Sequence, residues 1–403
     1  MGLTILRLGH HGDGVADGPV FVPRALPGEV VEGEVTHGRI AAPRILTPSP
    51  ERIAAPCPHY KACGGCALQH AREGFVTEWK EGVIRQALAA QGLDAPFRAA
   101  HISPLGTRRR AAFSGRRLKK GALVGFHARA SDTVTAVPDC LILRPELTAA
   151  LPLLEELVTL AGSRKGEMAL SLTLSNVGLD LAVTGGKPLD GPLQATLGQW
   201  AGANGLARLA WDGEVIAQAA PPVHSFGRAH VTPPPGAFLQ ATADAQAALQ
   251  AAVAKAVGDA PRVADLFAGC GTFALPLAER AEIHAVESMA DMLAALDHGW
   301  RHATGLKRLS HETRDLFRNP LLPEDLARFD AVVIDPPRAG AEAQARALAA
   351  SAVPRIAAVS CNPVTFARDA KILCDAGYRL QWVQMVDQFR FSPHVELAAA
   401  FAR

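Results

Sequence analysis

Four short apolar runs near the C-terminal end of this 403-residue chain constrain its fold most, at 262–266, 282–286, 331–334 and 355–359. Stretches rich in Ala and Leu separate them. Strands alternating with helices at this spacing predict a doubly wound parallel sheet over residues 236–403. Ligands of such sheets bind at the carboxyl ends of the strands. The polar residues that directly follow each run are therefore the candidates for chemistry.

After the first run, Val263-Ala264-Asp265-Leu266-Phe267-Ala268-Gly269-Cys270-Gly271-Thr272-Phe273 reads as a strand entering a glycine turn and then a helix. Gly269 and Gly271 let the backbone approach a ligand that side chains would exclude. The three-glycine dinucleotide fingerprint is not met, which makes a nicotinamide cofactor the weaker reading. The second run ends at Glu287, where an acidic residue binds the two hydroxyls of a ribose. Asp315, after the next element, is placed to accept from an adenine amino group. With Asp335 these residues fit S-adenosylmethionine, and their order along successive strands carries more weight than two glycines.

The last run leads into Ser360-Cys361-Asn362-Pro363. An isolated Cys is most often a small core residue. Here Asn362-Pro363 breaks the strand and leaves Cys361 at its ligand-facing edge. Asp335-Pro336-Pro337-Arg338 follows another apolar run, and Phe391-Ser392-Pro393-His394-Val395-Glu396 comes shortly after. A thiol, a carboxylate and an acidic turn near strand ends suggest a nucleophile with a general base.

Upstream, 1–52 contains short alternating strands divided by Gly and Pro, as in a small OB-like antiparallel barrel. Residues 53–70 form a Cys-rich loop. Apolar residues at helical spacing from Val76 predict an amphipathic helix to about Gln91. Strands and loops then fill 98–235, with one helix expected over 145–160. Pro233-Pro234-Pro235-Gly236 marks the boundary of a central α+β domain, 53–235.

The net charge of +2 says little about partners, but its distribution says more. From Ala95 to Ser131 there is no Asp or Glu, against nine cations: Arg98, Arg108, Arg109, Arg110, Arg116, Arg117, Lys119, Lys120 and Arg129. On a β-hairpin these read as a nucleic-acid surface. The N-terminus lacks a signal-peptide pattern, and Leu6 breaks the myristoylation pattern. No apolar run approaches membrane-spanning length. A cytoplasmic protein is expected, so its seven Cys point to metal or catalysis rather than disulfides. Cys57, Cys63 and Cys66 cluster, with Cys140 as the plausible fourth thiol of a zinc or iron–sulfur site. Only one Cys-x-x-Cys unit is present, which favours iron–sulfur over zinc. Cys270 and Cys374 read as packing residues.

Taken together these motifs resemble the RNA uracil-5-methyltransferases, in particular the iron–sulfur-containing branch that modifies 23S ribosomal RNA. The resemblance spans nearly the whole chain: an N-terminal barrel (the TRAM domain), a Cys-rich central domain and a C-terminal methyltransferase domain. It implies that Cys361 is the nucleophile and Glu396 the proton acceptor. Asp335-Pro336-Pro337-Arg338 would be the acidic turn facing cofactor and base. Phe238-Leu239-Gln240 resembles the family's Phe-x-Gln element, whose Gln contacts the methyl donor. By the same match Gln240, Phe267, Thr272, Glu287, Asp315 and Asp335 would line the S-adenosylmethionine pocket, and Cys57, Cys63, Cys66 and Cys140 would hold a [4Fe–4S] cluster. Thr242 and Thr272 stand where the family often has Asn. RNA is the implied partner, 23S ribosomal RNA ahead of transfer RNA, with neither a membrane nor an obligate protein partner. An RNA-binding iron–sulfur protein without catalysis is the alternative of a different class, and Cys361, Glu396 and Gln240 argue against it.

Overall fold

The structure is a computed structural model describing residues 2–403. Its C-terminal part is built on an eight-stranded sheet in the order Leu309–Thr313, Glu282–Glu287, Arg262–Leu266, Ala331–Ile334, Arg355–Ser360, Leu397–Ala402, Arg379–Asp387, Phe97–Ile102. The first five strands are parallel, and Leu397–Ala402 runs antiparallel to both neighbours. Successive side chains of a strand face opposite sides of a sheet. Accordingly Val263, Ala331 and Val333 enter one core, and Ala264, Leu266, Val332 and Ile334 enter the other. Helices cover both faces, which explains why these strands are mostly apolar. The strand order reverses between Arg262–Leu266 and Ala331–Ile334, leaving the crevice where such sheets hold ligands.

Three strands of this sheet depart from the expected set. Leu309–Thr313 is a mostly exposed edge with a polar sequence. Arg379–Asp387 and Leu397–Ala402 form a hairpin. The second reads Leu-Ala-Ala-Ala-Phe-Ala, poor in strand-forming residues, and is held by pairing on both sides rather than by propensity. The chain path also departs from a serial division at 235. Helix Glu73–Ala89 places Ile84 and Leu88 in the methyltransferase-side core, and Phe97–Ile102 pairs in parallel with Arg379–Asp387. The hairpin His224–Phe226 with Ala229–Val231 likewise packs into the other C-terminal core.

A seven-stranded mixed sheet forms the central region, in the order Glu214–Gln218, Arg208–Trp211, Gly178–Thr184, Glu167–Ser175, Arg110–Arg117, Ala122–His127, Val134–Thr135. The single helix expected over 145–160 is two, Pro145–Ala149 and Leu151–Ala161. Pro152 cannot donate to a preceding turn, so it opens a new helix instead of continuing one.

At the N-terminus five antiparallel strands, in the order Val20–Val22, Gly14–Ala16, Leu3–Leu8, Val30–Glu32, Arg44–Thr47, enclose Ile5, Val22, Val31 and Ile40. Phe21 pairs through its backbone with Gly38 and Ile40, which curls one edge toward the other. Among the described residues no helix is long and apolar enough to cross a membrane.

Candidate active site

Antiparallel pairing sets the centre of the site. Ser360 and Leu397 are register partners on adjacent strands. The next residue out on each strand is Cys361 and Glu396, so thiol and carboxyl share one sheet edge. Asn362 caps helix Pro363–Asp375 by accepting from Val364 N–H, and its Nδ2 donates to the Arg338 carbonyl at 2.8 Å. Thr365 Oγ1 donates to the same carbonyl at 3.2 Å. The Cys361 turn and the Asp335–Arg338 turn are thus locked together.

Burial governs the electrostatics. Glu396 is buried, and its pKa is pushed up to about 8, by burial first and then by the charge of Asp335. Asp335 keeps part of its surface exposed, yet the atoms packed around its carboxyl push its pKa up to about 7. Cys361 is half-buried, and burial followed by the charges of Glu396 and Asp335 raises its pKa, while Arg338 opposes them. At neutral pH the resting site therefore disfavours several simultaneous negative charges.

Of the residues expected at the donor site, Phe267, Glu287 and Asp335 fall at the ends of adjacent strands. Phe267 ends strand Arg262–Leu266 with φ of 61°, an uncommon left-handed conformation for a bulky residue, and leads into Gly269 and Gly271, both at positive φ. Glu287 Oε2 accepts from Gly269 N–H at 3.0 Å. Its Oε1 accepts from the N–H groups of Ser288 at 2.7 Å and Met289 at 3.1 Å. Phe267 and Phe317 stand with ring centroids 5.4 Å apart, and exposed Asp315 accepts from Phe317 N–H at 2.9 Å. Thr272 contributes its carbonyl, which accepts from Gln250 Nε2 at 2.8 Å. Gln240 is buried; its backbone carbonyl accepts from Arg109 Nε at 3.3 Å. Thr242 caps helix Ala243–Val257 and bonds Ser103 Oγ at 2.9 Å, so a short hydroxyl does local structural work there.

Two residues at the site carry no sequence signature. Asp265 is fully buried, and burial followed by the charges of Asp335 and Glu287 raises its pKa well above its ordinary value, opposed by the Ala274 backbone. Gln388 is buried between Gln240 and Glu396 and bonds both.

The basic segment is not a free cationic face. Arg109 Nη2 donates to Gln246 at 2.7 Å, Arg116 pairs with Glu167 at 2.8 Å, and Arg129 pairs with Asp13 at 2.8 Å. Arg117 donates to the Thr159 carbonyl, and Arg98 lies over Trp382. Lys119 and Lys120 are exposed at the hairpin turn, and half-buried Arg110 stacks over exposed Phe238 beside Gln240.

Cys57, Cys63, Cys66 and Cys140, all half-buried, line one small, mainly apolar cavity with Phe126 and Val137. Among the described residues no group of three or more His, Cys, Asp or Glu side chains stands in position to hold a metal ion. Gly64 lets this loop press against the next strand, since a Cβ there would meet the His127 carbonyl at 2.6 Å. Gly65 N–H donates to Cys63 Sγ at 3.4 Å. Beyond Cys66, the N–H groups of Ala67 and Leu68 both donate to the Phe391 carbonyl, at 2.8 and 2.9 Å. The Cys-rich loop is thereby attached to the segment that carries Glu396.

Residues 230–403 match the family model described as tRNA (Uracil-5-)-methyltransferase. An uncharacterized RNA methyltransferase of Brucella suis is 44% identical over 404 residues, covering 100% of this chain and 97% of that protein. The 23S rRNA (uracil(1939)-C(5))-methyltransferase of Chromohalobacter salexigens is 36% identical over 428 residues, covering 98% of this chain and 88% of that one. The crystal structure of Pyrococcus abyssi tRNA (uracil-54, C5)-methyltransferase with S-adenosyl-L-homocysteine shares the fold, with a TM-score of 0.77 at 20% identity over 100% of this chain and 99% of that chain. With relatives matching from end to end, the chain belongs to the RNA uracil-5-methyltransferase family and is an S-adenosylmethionine-dependent enzyme of it.

Proposed function

We propose that this enzyme methylates carbon 5 of a uridine in 23S ribosomal RNA through a covalent bond between Cys361 and carbon 6 of the base. The observation that carries the reading is the strand register that sets Cys361 beside Glu396. Carbon 5 of uracil is a poor nucleophile. Addition of the Cys361 thiolate to carbon 6 forms an enolate and makes carbon 5 electron-rich. Carbon 5 takes the electrophilic methyl that the sulfonium of S-adenosylmethionine supplies, and the donor leaves as S-adenosylhomocysteine. The Glu396 carboxylate then takes the proton from carbon 5, the bond from sulfur to carbon 6 breaks, and Cys361 returns as thiolate. A stacked or paired uridine cannot reach both side chains, so it must leave its stack, at a cost of a few kcal/mol.

Glu287, with its oxygens fixed by three backbone N–H groups, would bind the donor's ribose hydroxyls. Asp315 with Phe267 would receive the adenine, and Gln240 and Asp335 the methionine end, with Thr272 in the turn between them. The four thiols of Cys57, Cys63, Cys66 and Cys140 line one cavity and would by their chemistry suit a [4Fe–4S] cluster if drawn together from their present spacing, and Gly65 N–H donates to one sulfur. Such a cluster, when bound, supplies a structural tie between the 57–66 loop and the segment near Cys140. Residues 1–52 would form the TRAM unit, 53–235 the cluster and RNA-binding unit, and 236–403 the catalytic unit, to which 73–89 adds a helix and 97–102 a strand.

The end-to-end relative from Chromohalobacter favours 23S ribosomal RNA, while the family model and the Pyrococcus fold keep transfer RNA as the second reading. Incubating the enzyme with labelled S-adenosylmethionine and unmethylated 23S and transfer RNA, then mapping 5-methyluridine, separates them. Label at one uridine of 23S RNA is expected. Label confined to transfer RNA supports the second reading, and label in neither contradicts both.

A further inference from the structure

Gln388 lies one residue beyond strand Arg379–Asp387 and is 3% exposed. Its Oε1 accepts from the Ala241 backbone N–H at 2.6 Å. That N–H can only donate, which fixes the orientation of the carboxamide. Nε2 then faces two acceptors, Gln240 Oε1 at 2.5 Å and Glu396 Oε2. An amide nitrogen has two hydrogens and accepts nothing, so both are spent. The bond to Glu396 is strongest when Glu396 is ionised, because charged acceptors bind more tightly than neutral ones.

We propose that Gln388 is a positioning residue that holds Glu396 in its proton-accepting form, its carboxamide anchored for this by Ala241 N–H and Gln240 Oε1. This rests on the roles given above to Cys361 and Glu396. The surroundings keep Gln388 in place. Lys80 donates to Asp387 Oδ2 at 2.7 Å and to the Phe389 carbonyl at 3.2 Å, on either side of it. Other charges facing Glu396 are unfavourable to its anion: Asp335 from the neighbouring turn, and Asp387, itself paired with Lys80. The Cys361 thiolate faces it from the adjacent strand. The Gln388 bond lowers the pKa of Glu396 against all of these.

Gln388→Met keeps the side-chain length and removes all three hydrogen bonds. Single-turnover reactions with S-adenosylmethionine and substrate RNA would be stopped by denaturation and the methylated protein–RNA adduct followed across pH. The adduct should form at close to the wild-type rate but resolve at least about tenfold more slowly. Its resolution should recover only at higher pH than in wild type, because Glu396 then holds its proton more tightly. Equal slowing of formation and resolution, with an unchanged pH profile, would show a merely structural role and overturn the proposal. Glu396→Gln, which should trap the adduct, and Cys361→Ala, which should never form it, run alongside. If those two misbehave, the proposed chemistry fails. If they behave and Gln388→Met resolves its adduct as wild type does, only the role of Gln388 fails. Should Gln388→Met not fold, Gln388→Asn, one methylene too short to reach both acceptors, gives the same comparison.

Discussion

Cys361 and Glu396 follow a pair of antiparallel register partners, Ser360 and Leu397, and so meet at the edge where the parallel strands of the sheet end. The strand bearing Glu396 runs against its neighbours, which makes its beginning coincide with their ends. Val386 N–H donates to the Glu396 carbonyl at 2.9 Å and fixes the third strand of the group. A nucleophile and a base beside two different strands are held here by ladder hydrogen bonds.

This arrangement lowers stability as pH rises. Glu396, raised to about 8, and Asp335, raised to about 7, hold protons more tightly folded than unfolded. Their contribution is full below the ordinary carboxylate range and is lost as pH rises through those values. Glu396→Gln removes one such ionisation. Denaturant unfolding should show the variant gaining on wild type with pH, by on the order of 1–3 kcal/mol between about pH 5 and pH 9. A difference that stays flat across that range would contradict the assignment.

Lys80 and Asp387 form a buried ion pair between helix Glu73–Ala89 and the end of the strand preceding Gln388. Lys80→Met leaves the Asp387 carboxylate buried without its partner and should cost about 3–5 kcal/mol in denaturant unfolding. Asp387→Asn added to it should recover part of that loss. A double variant less stable than Lys80→Met would contradict this account of the pair.

Metal and RNA binding give a separate handle. Protein purified without oxygen should carry about four irons per chain with broad visible absorption. In Cys63→Ser, which loses them, RNA affinity and its salt dependence should fall, because Cys140 is followed by carbonyls that accept from Gly106 and Arg108 and so anchor the basic segment. Binding of S-adenosylhomocysteine, at residues that do not line the cavity, should persist. Zinc in place of iron, or equal loss of both ligands, would contradict this division.

Much of this was legible because short, largely buried strands announce themselves: 262–266 and 331–334 coincide with the observed bounds, and the motifs follow strand ends. What stayed hidden depends on partners distant in sequence. Leu397–Ala402 is a strand only because two others flank it, and Phe97–Ile102 joins its sheet across nearly the length of the chain. Arg116 and Arg129 look unbalanced locally, but Glu167 and Asp13 meet them. Gln388 has no composition or spacing to mark it; only its position two strands from Cys361 reveals its bonds.

The central claim, covalent attack by Cys361, is tested most directly by RNA carrying 5-fluorouridine, which has no removable proton at carbon 5. After incubation with enzyme and S-adenosylmethionine, nuclease and protease digestion followed by mass spectrometry should find the methylated fluoronucleotide on the peptide containing Cys361, and no adduct in Cys361→Ala. An adduct on another residue, or an undiminished yield in Cys361→Ala, would contradict the account.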